Sequence, residues 1–108
     1  MFEIFLSDTA KEQLAKLKAD NGLRKRYNAV KKTIRLLSSD PRYKSLNTHE
    51  FTSLKGPAGE KIFVAYAQQS TPAAYRVFWH YGPLKSQITI VAITLTPIKT
   101  IERGMFKS

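Results

Sequence analysis

The chain has 108 residues, room for one domain, and its 43% hydrophobic and 24% charged content argues against wholesale disorder. Cysteine is absent, which excludes a disulfide framework and thiolate metal sites and agrees with a reducing compartment. Eighteen Lys and Arg against eight Asp and Glu give a net charge of +10, and eleven of those bases lie between Lys11 and Lys44 beside only Glu12, Asp20 and Asp40. A field this lopsided attracts polyanions: nucleic acid, an acidic protein or an anionic membrane. The opening Met1-Phe2-Glu3-Ile4 lacks the basic stretch of a signal peptide. The longest apolar run, Ile90 to Ile93, is far short of the ~20 residues of a spanning helix. A cytoplasmic protein that does not use a membrane is the expectation.

Phe2 to Leu6 reads as a short buried strand, with Phe2, Ile4 and Leu6 on one face and Phe5 on the other. Ser7, Asp8 and Thr9 are all good helix caps, and Thr9 to Glu12 has capping-box spacing. The helix that follows carries Ala10, Leu14 and Leu17 on one stripe and stops near Asn21-Gly22. In a second helix Leu23, Tyr27, Val30, Ile34 and Leu37 form one unbroken apolar stripe, with Arg24, Lys25, Lys31, Lys32 and Arg35 around the rest. Ser38-Ser39-Asp40-Pro41 ends it, so the two helices make an antiparallel pair.

The period then changes. Strands are expected over Phe51–Lys55, Lys61–Gln68, Tyr75–Tyr81 and Gln87–Leu95, punctuated by Gly56-Pro57-Ala58-Gly59, Ser70-Thr71-Pro72 and Gly82-Pro83. The last strand is apolar on both faces, which suits the middle of a sheet. Short connections favour antiparallel neighbours. The order β-α-α-β-β-β-β is an α+β fold, an antiparallel sheet with a helix pair on one face. It fills residues 1–97 and leaves a basic tail, 98–108, in which Ile98, Ile101 and Met105 have helical spacing.

No phosphate-cradling glycine loop and no Gly-x-Ser-x-Gly elbow is present, and His49 and His80 stand far apart without clustered carboxylates, so no metal and no cofactor is expected. Chemistry must come from bases, aromatics and hydroxyls. That set suits RNA phosphodiesters, where cations stabilise the phosphorane and the substrate brings its own 2′-hydroxyl. In Tyr75-Arg76-Val77-Phe78-Trp79-His80-Tyr81, alternation puts Arg76, Phe78 and His80 on one face. If the bulkier set packs on the helices, Arg76 and His80 point together from the open face. Phe78, Ile62 and Val64 then lie beside them as an exposed apolar patch, covered by an acidic partner or by the chain's own tail.

The order and spacing of Ser7-Asp8-x-Ala10-x-x-x-Leu14, the second helix ending in Ser38-x-Asp40-Pro41, Leu54-Lys55-Gly56, Tyr75-Arg76-Val77-Phe78-Trp79 and Ile88-Thr89-Ile90-Val91-Ala92-Ile93 resemble the RelE/ParE superfamily of toxins. The resemblance covers roughly Ile4 to Pro97. It implies the toxin half of a type II toxin–antitoxin pair, with an acidic antitoxin as partner. It implies also either ribosome-dependent, metal-independent cleavage of mRNA or poisoning of gyrase. Arg76 matches the sheet arginine that contacts the scissile phosphate in RNA-cleaving members. The basic pair some members carry on the preceding strand falls on Ile62 and Val64, and the last strand runs into Thr94-Leu95-Thr96-Pro97 where relatives commonly place a base. His80 and Tyr66 remain as candidate proton carriers beside Arg76, and Lys61, Lys99 and Arg103 as RNA contacts. A nucleic-acid-binding module without toxin activity is the other reading of the basic second helix.

Overall fold

The structure, a computed structural model, describes residues 1–68 and 74–95. The expected break at Ser70-Thr71-Pro72 and the tail after Pro97 lie outside the described residues. In chain order the elements are β1 (Glu3–Leu6), α1 (Asp8–Ala19), α2 (Arg24–Ser39), β2 (His49–Lys55), β3 (Lys61–Tyr66), β4 (Tyr75–Tyr81) and β5 (Gln87–Leu95). This is an α+β fold with both helices packed on one sheet, in the strand order β1-β5-β4-β3-β2.

The sheet is mixed rather than antiparallel. β2, β3, β4 and β5 pair antiparallel with their neighbours, but β1 pairs parallel with β5, from Glu3 opposite Gln87 to Leu6 opposite Ile90. A short connection dictates antiparallel pairing only for consecutive strands. Between β1 and β5 lie two helices and three strands, so that rule does not reach this pair. The pairing puts β5 between β1 and β4, in line with its two apolar faces.

Ser7 is the residue that caps α1. Its Oγ accepts the Ala10 N–H at 3.1 Å and donates to the Val91 carbonyl at 2.9 Å. Thr9 is already inside the first turn, so the Thr9–Glu12 box does not form. After Ala19 the Asp20 carboxylate accepts the Gly22 N–H at 2.9 Å, and a short 3-10 turn at Asn21–Leu23 delivers the chain into α2.

Between helices and sheet lies the larger core. Ala10, Leu17, Val30 and Leu37 pack there against Val77, Trp79, Ile88, Ile90 and Ile93, with Leu14, Tyr27 and Ile34 at its margin. The helical stripes therefore face the strands that their periodicity predicts. Thr33, the one polar residue buried on α2, returns its hydroxyl to the Ala29 carbonyl at 2.9 Å.

The second face of the sheet carries its own apolar cluster. Ile62, Val64, Phe78, Val91 and Ala92 are all buried, with Phe51, Leu54 and Tyr66 packed against them. The expected exposed patch at Ile62, Val64 and Phe78 is thus absent: Phe78 is 0% exposed. The cause is partly in β2, whose pairing with β3 shifts register between Glu50 and Lys55. Phe51 meets Phe78 edge-on, with ring centroids 5.3 Å apart.

Two substitutions separate packing from polar satisfaction. Leu37→Ala, at a fully buried site, should lower the unfolding free energy by about 2–5 kcal/mol. Gln13→Ala should cost about 1–3 kcal/mol, because the Gln13 Oε1 accepts the Ile93 N–H at 2.6 Å and its loss leaves a shielded donor unpaired. Urea unfolding of the two variants measures both.

Candidate nucleic-acid interface

β4 presents its residues as alternation predicts. Tyr75, Val77 and Trp79 join the helix-side core, and Phe78 belongs to the second cluster. Arg76 and His80 share the second face with Phe78, yet they are not brought together. Four residues along a strand span about 13 Å, and buried Phe78 stands between them.

His80 is 5% exposed, and its ring Nδ1 lies 2.8 Å from the Tyr81 carbonyl oxygen. A carbonyl only accepts, so the Nδ1 carries the proton and the ring is tied to its own backbone. Its charged neighbour is Glu60, at the turn between β2 and β3. The Glu60 carboxyl is held below the usual carboxylate range, chiefly by its own backbone N–H, which outweighs the opposing effect of burial, with lesser help from the Ala58 N–H at 2.9 Å and the field of His80. This group builds the turn. A Cβ on buried Gly56 would collide with the Glu60 carboxylate, so the glycine of Leu54-Lys55-Gly56 makes room for it.

Arg76 has different company. Directly opposite it on β3 is Tyr66, and on β5 Thr94. The guanidinium carbon lies 4.9 Å from the centre of the Tyr66 ring, within cation–π range. Its Nε is buried and finds no hydrogen-bond partner among the described residues. His49 also meets this phenol ring, with ring centroids 5.6 Å apart. Asn47, held at φ 47° and ψ 41°, aims its carbonyl at the His49 Nδ1, 3.1 Å away. Asparagine tolerates that left-handed backbone better than most residues. The contact puts the proton on Nδ1 and, in a neutral ring, leaves Nε2 as the acceptor.

The row His49, Tyr66, Arg76 therefore aligns an imidazole, a phenol and a guanidinium across β2, β3 and β4. Sequence reasoning finds Tyr66 and Arg76 but pairs them with the other histidine. The missed signal is the start of β2, at His49 instead of Phe51, which carries the imidazole into register opposite Val64. Lys61 is exposed and lies five residues before Tyr66, about 16 Å along β3 and on the opposite face by alternation. Lys99 and Arg103 lie outside the described residues.

His49 also borders a cavity of about 420 Å³ between β2, the end of β4 and the Pro41–Lys44 segment. Phe63, Trp79 and Tyr81 form an aromatic wall, Phe63 stacked on Trp79 at 5.0 Å and Tyr81 edge-on to Trp79 at 4.9 Å. Arg42, Tyr43 and Lys44 complete it, and no carboxylate lines it among the described residues. No group of three or more His, Cys, Asp and Glu able to hold a metal occurs among the described residues, nor does a helix long and apolar enough to cross a membrane.

No protein-family model, curated protein or solved structure matches the chain.

Glu60 supplies a pH test of the turn. A carboxyl whose folded-state pKa is depressed stabilises the fold above its unfolded pKa, and that contribution disappears as the pH falls through the lower, folded value. Wild type should therefore exceed Glu60→Gln in thermal stability at pH 7, and the difference should close on acidification below about pH 4. Parallel melting curves across that range read the effect.

Proposed function

We propose that the chain is a toxin of the RelE/ParE type that binds mRNA on the ribosome and cleaves it without a metal. The observation that carries the proposal is the partly buried Arg76 guanidinium, lying on Tyr66 with its Nε unpartnered, beside the His49 imidazole. Cleavage of RNA by its own 2′-hydroxyl needs a cation for the phosphorane and groups to move protons. Arg76 supplies the first, with a fixed fork of donors for phosphate oxygens. On this reading the His49 Nε2 accepts the 2′-hydroxyl proton and the Tyr66 hydroxyl donates to the leaving oxygen. The RelE/ParE-like order of elements and the +10 charge support the same reading. An acidic antitoxin is the partner it requires.

A second reading, a toxin that binds its target without cleaving RNA (gyrase among the candidates), is favoured by one specific observation. The second-face positions of β3 before Tyr66 are Ile62 and Val64, both buried and apolar, so β3 adds no further cation beside Arg76.

Translating ribosomes incubated with purified protein, followed by mapping of mRNA ends, separate the two. Wild type should generate new ends and Arg76→Lys should lose most of them. His49→Gln should slow cleavage by about 10²–10⁴-fold with RNA binding retained, the range for loss of a positioned proton carrier. Growth arrest without new mRNA ends would establish the second reading instead.

A further inference from the structure

We propose that the aromatic cavity beside His49 receives one unpaired base of an RNA strand whose phosphate lies at Arg76. The inference rests on the reading that this chain engages RNA, and it assigns one base of the strand a place.

Three properties of the cavity point to a base. Its wall is built from π-faces and edges, Phe63, Trp79 and Tyr81 in mutual contact and Tyr43 half exposed at the mouth. Flat heterocycles stack on such walls whatever their identity. The indole Nε1–H of Trp79 is buried and has no acceptor among the described residues. A base brings ring nitrogens and carbonyl oxygens that accept such a donor. At the rim Arg42 and Lys44 are exposed and enter no ion pair among the described residues, which suits them to the flanking phosphates. An acidic peptide would satisfy the cations but would bring no ring for the wall. A volume of about 420 Å³ lies within the range of small-molecule sites.

The cavity and the Arg76 row are contiguous through His49, which touches Tyr66 and borders the cavity. Arg76 and Trp79 are three residues apart on β4 and so lie on opposite faces of the sheet, with His49 at the β2 edge between them. A single strand that wraps the β2 edge can therefore set one phosphate on Arg76 and, several nucleotides along, turn a base into the cavity.

Trp79 is the chain's single tryptophan, so its fluorescence reports on this wall without labelling. A short oligouridylate should quench it, and the matching ribose-phosphate chain without bases should not. Tyr43→Ala, at an exposed position that leaves the core intact, should weaken oligouridylate binding by about five- to hundredfold, the range for losing one stacking partner. Anisotropy of end-labelled RNA, run in parallel with Arg76→Ala, keeps the two proposals apart. Binding that depends on Arg76 but leaves Trp79 fluorescence and the Tyr43→Ala affinity unchanged overturns the base site and spares the RNA reading. Quenching that depends on Tyr43 and ignores Arg76 upholds the base site and removes Arg76 from the strand's path. Equal quenching by the chain without bases, or by poly-glutamate, overturns the base site in favour of an anion or an acidic protein. Absence of any RNA binding overturns both.

Discussion

Beyond Ile90, β5 outruns its partner β1, and the side of its backbone that β1 would pair must be satisfied by something else. α1 does this with side chains. Ser7 donates to the Val91 carbonyl and Gln13 accepts from the Ile93 N–H, while the Ser7 N–H reaches the Ile90 carbonyl at 2.9 Å. Unpaired backbone groups at such a place cost about as much as a lost hydrogen bond. The helix is therefore fixed to the sheet by polar geometry as well as by the burial of Ala10 and Leu17, and the same serine that begins α1 determines where it begins. The pairing of β4 with β5 shifts register at Phe78/Trp79, so that Trp79 faces Ile90 and Val77 faces Ile93, both within the helix-side core. Val91 and Ala92, the residues between, fall in the second cluster.

That shift has consequences for chemistry. With apolar clusters on both faces, polar side chains on β4 survive only toward its ends. Arg76 sits at one end, among ring faces that solvate a guanidinium poorly but hold it in place. His80 sits at the other, closed in and bound to its own strand. A partly buried cation lacking an acceptor for its Nε is a group to which an anion adds much, because the desolvation has already been met by folding. Of the two histidines, the exposed one, His49, has its Nδ1 engaged by the Asn47 carbonyl, and it is the one that meets the same tyrosine ring as the arginine.

Local signals in the sequence reach a long way here. β4 and β5 have the bounds that alternation and their flanking glycine and proline predict, and both helices bury the stripes that their spacing defines. What escapes is set by contacts between distant segments. Nothing local in Phe2 to Leu6 tells that it pairs parallel with Gln87 to Ile90. The capping of α1 goes to Ser7 because Val91 needs a donor at that point, a fact invisible in the Ser7-Asp8-Thr9 triplet itself. His80 lies four residues from Arg76 in sequence and looks like its companion. His49, twenty-seven positions away, meets the same tyrosine only because β2 begins at His49 and pairs with β3. The burial of Ile62 and Val64 likewise involves Phe51 and Leu54 of β2, an edge strand whose packing across the sheet no local pattern shows.

The charge that dominates the composition is not concentrated at the candidate site. Arg24, Lys25, Lys31, Lys32 and Arg35 are exposed on α2, which packs on the face of the sheet opposite Arg76. Stacked layers lie about 10 Å apart, and at physiological salt the Debye length is about 8 Å. The bases of α2 therefore lie beyond close screening range of an anion held at Arg76 and add little to its local energy. Their effect is on encounter: they draw a polyanion to the molecule from any side and raise its rate of arrival. On the proposed reading, discrimination comes from Arg76, partly buried on Tyr66, from His49 against the same ring, and from the cavity wall beyond. On that reading the surface supplies attraction and the sheet selectivity, so neutralising α2 bases should slow association and soften its salt dependence, while changes in the row should act on what happens after contact.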